Sequence, residues 1–171
     1  MTDRTIVVGL DESSSSRAAL QWAARQATAT GTVLRAVHVI DWPYGLDEAD
    51  VTSSDSTGRI LTHDEIEALY RSRITRLFDE VSPRPDWLIQ FAVGEVGQVL
   101  VHQAEHAALL VVGTREHVGL GRLLTGSVSH YCLSHALCPV VAVPAPSPLV
   151  KRSASGRTAV SSALTATPGP G

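Results

Sequence analysis

A chain of 171 residues with 44% hydrophobic and 18% charged side chains has the size of one ordinary domain, and a formal charge of -3 gives it no pull toward nucleic acid or anionic membranes. The charge is unevenly laid out: only bases, Lys151, Arg152 and Arg157, follow Pro144, so the body before them holds all 17 acids against 11 bases. Lys151 is also the sole lysine, which excludes from the body every chemistry that needs one, from a phosphate-loop lysine to a Schiff base.

The opening MTDRTIVVGLDESS mixes charge into a short apolar run, so it reads as neither a signal peptide nor a membrane span, and a cytoplasmic location is expected. Thr5 to Leu10, TIVVGL, reads as a strand buried on both faces. Ser13 offers an N-cap to an amphipathic helix that stops at Gly31. VLRAVHVI (33–40) is a second strand, and the stretch 41–61, with Pro, Gly, Ser and five acids, is expected to be an acidic surface loop. Thr62 and Glu65 have the spacing of a capping box before a helix to about Val81, which SPRPD ends. WLIQFAV (87–93) is a third strand, VGQVLVHQAEHA a third helix, ALLVVG (108–113) a fourth strand, 126–136 a fourth helix and PVVAVP (139–144) the last strand.

Strands alternating with helices, each strand a continuous apolar run, imply an α/β fold. The expected form is one open, doubly wound parallel sheet of five strands, with helices on both faces. The domain is expected to occupy 1–145, and the Ala/Ser/Thr/Pro/Gly-rich tail 146–171 to be disordered. Ligands of such sheets lie beyond the carboxyl ends of the strands, where the strand order reverses. Asp11 and Gly113 face one crevice there if the first and fourth strands are neighbours.

Gly126-Ser127-Val128 opens the fourth helix, whose free N–H groups and positive dipole end suit an anion; the same residues also make an ordinary helix start. The common phosphate fingerprints fail, GxxxxGK[ST] for want of a lysine and GxGxxG because Leu124 follows Gly119 and Gly121 at the third glycine. His130, Cys132, His135 and Cys138 tempt a zinc reading, but His130 and His135 lie about 140° apart around a helix. No GxSxG elbow is present, which removes a serine hydrolase of that type.

The stretch from Gly113 to Ser127 resembles the G-x2-G-x9-G-[S/T] signature of the universal stress proteins. VVGLDESSSSRAALQWA, VHVID, VGEVGQVLVHQA and CPVVAVP resemble the same family in the same order over residues 4–144. The resemblance implies strand order 3-2-1-4-5 and an ATP site, alone or with Mg²⁺. Asp11 would sit at the adenine and ribose end, or would merely cap the first helix. Val39 would recognise adenine through its backbone. Gly113 would line ribose and phosphates, Gly126, Ser127 and Val128 would hold phosphates, and Arg115 is a further candidate beside them. Glu116 departs from the signature at its second glycine. A carboxylate about 6 Å from a phosphate charge would cost roughly 3 kcal/mol at an effective dielectric near 20. The resemblance further implies a homodimer through 139–144, and a sensor or switch rather than a fast enzyme. The rivals are an interaction module without nucleotide and a slow ATP hydrolase.

Overall fold

The computed structural model describes residues 4–40, 53–54, 60–61, 63–114 and 126–146. Strand β1 (Thr5–Gly9) leads into α1 (Ser14–Thr30) and β2 (Val33–Ile40). Two-residue strands β3 (Ser53–Ser54) and β4 (Ile60–Leu61) pair antiparallel to each other. They correct the expectation that 41–61 is loop alone. Then follow α2 (His63–Asp79), β5 (Leu88–Val93), α3 (Val96–Gln103), β6 (Leu109–Thr114), α4 (Ser127–His135) and β7 (Val140–Pro144).

The five longer strands form one parallel sheet in the order β5-β2-β1-β6-β7, which is 3-2-1-4-5 when the small hairpin is left out of the count. Chain order reverses at β1, which has β2 on one side and β6 on the other. Successive side chains of β1 point to opposite faces. Ile6 and Val8 pack with Ala19, Leu20 and Ala23 of α1 and with Ile74 and Phe78 of α2. Val7, no more exposed than 0%, packs on the other face with Leu100 of α3 and Cys132 of α4. Both faces are therefore covered, which is why the strands read as unbroken apolar runs instead of alternating ones.

Alanines spaced by four, Ala19, Ala23 and Ala27, give α1 a smooth buried stripe that lies close on the sheet. The helix ends where Gly31 takes φ 63, a left-handed conformation with little cost only for glycine, and returns its N–H to the carbonyl of Ala27. Helix α2 carries Asp64 and Glu65 in its first turn and Arg76 in its last, the charge order its dipole favours. Its expected cap, Thr62, lies outside the described residues. Among the described residues no helix is long and apolar enough to cross a membrane.

Candidate functional site

At the carboxyl end of β1 the sheet opens into a crevice of about 270 Å³. Its floor is the end of β1 and the strands beside it, its walls the first turns of α1 and α4. Six of the expected site residues line it together: Asp11, Val39, Gly113, Gly126, Ser127 and Val128. Arg115, the seventh, lies outside the described residues, as does Glu116.

The α1 wall is closed by its own hydrogen bonds. Asp11 accepts the N–H of Ser13 on Oδ1 at 2.8 Å, and Ser13 Oγ in turn caps the helix by accepting from Ser16 N at 3.1 Å. Ser16 Oγ accepts from Asp11 N at 2.8 Å and donates to Gly9 O at 3.2 Å. Asp11 thus shapes the turn into α1 while Ser13 does the capping, and its exposed carboxylate still borders the crevice. Gly113 runs so near this wall that a Cβ there would stand 2.7 Å from both Ser15 C and Ser16 N. Its missing side chain is required by the helix backbone, before any ligand is considered.

The α4 wall is different. Its N-cap is Gly126, extended at φ -91 and ψ 122, and among the described residues no side chain caps the helix. Ser129 Oγ, buried, donates to the Gly126 carbonyl at 3.0 Å instead of accepting from the helix. Ser127 is exposed at the mouth. Among the described residues the first-turn N–H groups therefore lack the usual side-chain acceptor, and the positive end of the helix dipole sits at the crevice.

The third wall is backbone. Val33 and Val37 both aim their main-chain groups at β1, Val33 N donating to Arg4 O and Val37 O accepting from Leu10 N. Alternation aims Val39 the same way, where β1 has already ended. Its N–H and C=O therefore face the space beyond the end of β1, where Val39 lines the crevice. His38 fixes this edge by donating from Nδ1 to Leu10 O at 2.8 Å and lying edge-on to Phe91 at 5.8 Å.

Asp11 is the single charged side chain among the described lining residues. An anion seated here would be met by main-chain dipoles and by the hydroxyls of Ser127 and of one of the Ser13–Ser15 pair, since Ser16 and Ser129 already give their protons to the carbonyls of Gly9 and Gly126. Sequence reasoning missed Ser15, Ser16 and Ser129. A run of four serines after a strand reads as one cap, and the spacing did not say that two of them face the same space as α4.

The zinc quartet does not form: among the described residues no group of three or more His, Cys, Asp or Glu side chains is placed to hold a metal. Cys132 is fully buried on the inner face of α4, and burial, then the charge of Glu95, pushes its thiol up to about 11. Burial also raises the Cys138 thiol. Burial thus holds both as thiols at neutral pH, which disfavours a thiolate nucleophile at either position.

A five-stranded parallel sheet whose order reverses at β1, with helices on both faces and a crevice at the reversal, defines a doubly wound α/β protein. The chain belongs to the universal stress protein family, whose model matches residues 3–144. A universal stress protein of Mycolicibacterium smegmatis is 30% identical over 149 residues, covering 83% of this chain and 48% of that protein. The chain thus spans about half the length of the curated relatives it matches. Among solved structures, universal stress protein UspA from Lactobacillus plantarum shares the fold at TM-score 0.62 and 20% identity, over 81% of this chain and 96% of its own. A universal stress protein in complex with cAMP matches at TM-score 0.54 and 25% identity, over 84% of this chain and 98% of its own.

Proposed function

We propose that the chain binds an adenine nucleotide in the β1–β6 crevice and acts as a stress-response sensor or switch. The carrying observation is the uncapped first turn of α4, Gly126 to Val128, at the mouth of a crevice whose opposite edge is the backbone of Val39. Phosphate would take the α4 N–H groups and the Ser127 hydroxyl, ribose would lie along Gly113 toward Asp11, and adenine would pair with Val39. The cAMP bound by the 25% identical relative supports an adenine ligand. ATP, alone or as the Mg²⁺ complex, is the ligand we assign, with Arg115 contributing from the loop after β6. Asp11, the crevice's one described carboxylate, fits a shared metal ion better than a metal site of its own. Asp11 is the one titratable side chain among the described lining residues, which supports a binding role over fast turnover.

Thermal melting tests the reading. Ligand at about 100 times its Kd adds about 2.7 kcal/mol, a Tm rise of roughly 5 to 11 °C for a domain this size. Absence of a shift with ATP, Mg-ATP, AMP and cAMP would sink it. Glu116 supports the second reading, an interaction module that has given up nucleotide; a Tm shift that appears only in Glu116→Gly would establish that alternative.

The same proposal includes a cytoplasmic homodimer through 139–144. β7 is a sheet edge of half-buried Val140, Val141, Ala142 and Val143, next to Leu137, which is 79% exposed. Pairing two such edges would cover an open ladder that otherwise invites aggregation. Light scattering at micromolar concentration reads a dimer mass; a monomer rejects this part alone.

A further inference from the structure

The outer face of α1 carries a groove that the crevice does not use. At its near end Pro146 sits in a hollow of about 260 Å³ with Glu12, Ser14, Arg17, Ala18 and Gln21. Gln21 also begins a second hollow of about 550 Å³, between the carboxyl half of α1 and the turn that joins α2 to β5. Ala24, Thr28, Ala29, Val81 and the Trp87 ring wall it. The Trp87 indole Nε1 is shielded from solvent and meets no acceptor among the described residues, so its N–H signal reports on what packs over the ring.

We propose that the segment directly after Pro146, residues 147–152, docks along this groove. The reach fits. From the level of Ala18 to the level of Ala24 and Thr28 the helix advances roughly 9 to 15 Å at its usual rise. An extended chain at about 3.3 Å per residue covers that in roughly three to five residues, which brings Leu149 and Val150 to the hollow beside Trp87. Pro148 favours the extended form the path needs.

The end of α1 fits as well. Lys151 and Arg152 come next, where α1 ends with no base in its last turn and presents the negative end of its dipole. Helix α2 ends nearby on Asp79 with Arg76 in its last turn. Of the other bases, Arg84 is held by Asp86 at 2.6 Å and Arg17 by Glu80 at 3.5 Å, so Arg25 and Arg76 stand against the arriving bases and the apolar pair Leu149 and Val150 must carry the docking. The segment is the apolar-then-basic stretch of an otherwise Ala/Ser/Thr-rich tail, and it begins where the groove does.

Limited trypsin digestion of the full chain reads the docking through cleavage after Lys151 and Arg152. A segment docked for roughly three-quarters of the time is cut about fourfold more slowly than a free one. Ala29→Arg, at an exposed position on the groove wall, is expected to raise the cleavage rate by that factor with Tm unchanged. In the nuclear magnetic resonance spectrum, the Trp87 indole N–H signal is expected to move when Leu149 and Val150 are both replaced by serine. Equal cleavage rates in the parent and Ala29→Arg chains overturn the proposal, and so does an unmoved indole signal. Protection that grows with protein concentration overturns it too, by giving the groove to the segment of a second copy.

Discussion

Two helices begin at the same crevice, one on each face of the sheet, and they are finished differently. The first turn of α1 is closed by Asp11, Ser13 and Ser16, whose side chains meet the local main-chain N–H groups. The first turn of α4 starts at a glycine and has no side-chain acceptor among the described residues. A helix start left open costs about 1 kcal/mol relative to a capped one. The contrast separates two jobs: α1 is a wall held by internal bonds, and α4 is a mouth whose donors are left for something else.

The largest effect is expected at the contact that keeps the wall in place. Gly113→Val puts a branched side chain where even a Cβ stands 2.7 Å from the backbone of Ser15 and Ser16. Backbone has no rotamer with which to retreat, so α1 must move off β6. We expect a loss of about 3 kcal/mol or more, measured by urea unfolding, together with loss of ligand binding. A variant as stable as the parent would show that the wall is not fixed by this approach.

Ser127→Asp sharpens the comparison because it moves stability and binding in opposite directions. A carboxylate at an exposed first-turn position favours the helix dipole and is expected to add roughly 0.5 kcal/mol. The same charge near a bound phosphate costs on the order of 2 kcal/mol, about a thirtyfold rise in Kd by calorimetry. If both quantities moved together, the mouth would be a structural element only.

The fold was legible because its signals are redundant. Each central strand is a run of valine, leucine and isoleucine that is buried on two faces, and each helix stripe repeats at the helical period, so an error of one residue changes nothing. Gly31 and Ser13 were readable as helix stop and start because each acts within its own turn. The hairpin at 53–54 and 60–61 was not, since two-residue strands between acids carry no periodic signal. The site was half legible. Gly113, Gly126 and Ser127 fall in a spaced pattern, but that the space above Gly113 is filled by Ser15 depends on how close α1 lies to the sheet, which only tertiary packing decides. Ser129 was hidden for the opposite reason: its hydroxyl turns back to the Gly126 carbonyl, an interaction local in sequence but with no spacing that marks it.

Below its mouth, α4 is anchored by a thiol, and this yields a pH test. The Cys132 thiol is held at about 11 in the fold against 9.0 for the ordinary group, chiefly by burial. A group that binds its proton more tightly when folded stabilises the fold fully below the unfolded value and loses that contribution as pH rises through the folded one. Between pH 9 and about 11 the parent should therefore lose on the order of 2 kcal/mol that a Cys132→Ala variant does not. Tyrosines titrate in both chains and cancel in the difference. A constant gap between the two unfolding curves across that range would mean that α4 opens enough to hydrate its inner face.

The smallest effect is expected at the cap of α1, and its smallness is what completes the comparison. Ser13→Ala removes the acceptor of Ser16 N and should cost about 1 kcal/mol in urea unfolding. Asp11 keeps its bond from Ser13 N, because the main chain is unchanged, so the crevice edge stays in place. Ligand affinity should then fall by less than about threefold, since no donor aimed at the phosphate has been altered. The alanine also leaves α1 with an orphan N–H on the crevice side, a second open helix start facing the first. If the variant bound nucleotide more tightly than the parent, that new donor would be the cause. The wall would then differ from the mouth by a single hydroxyl.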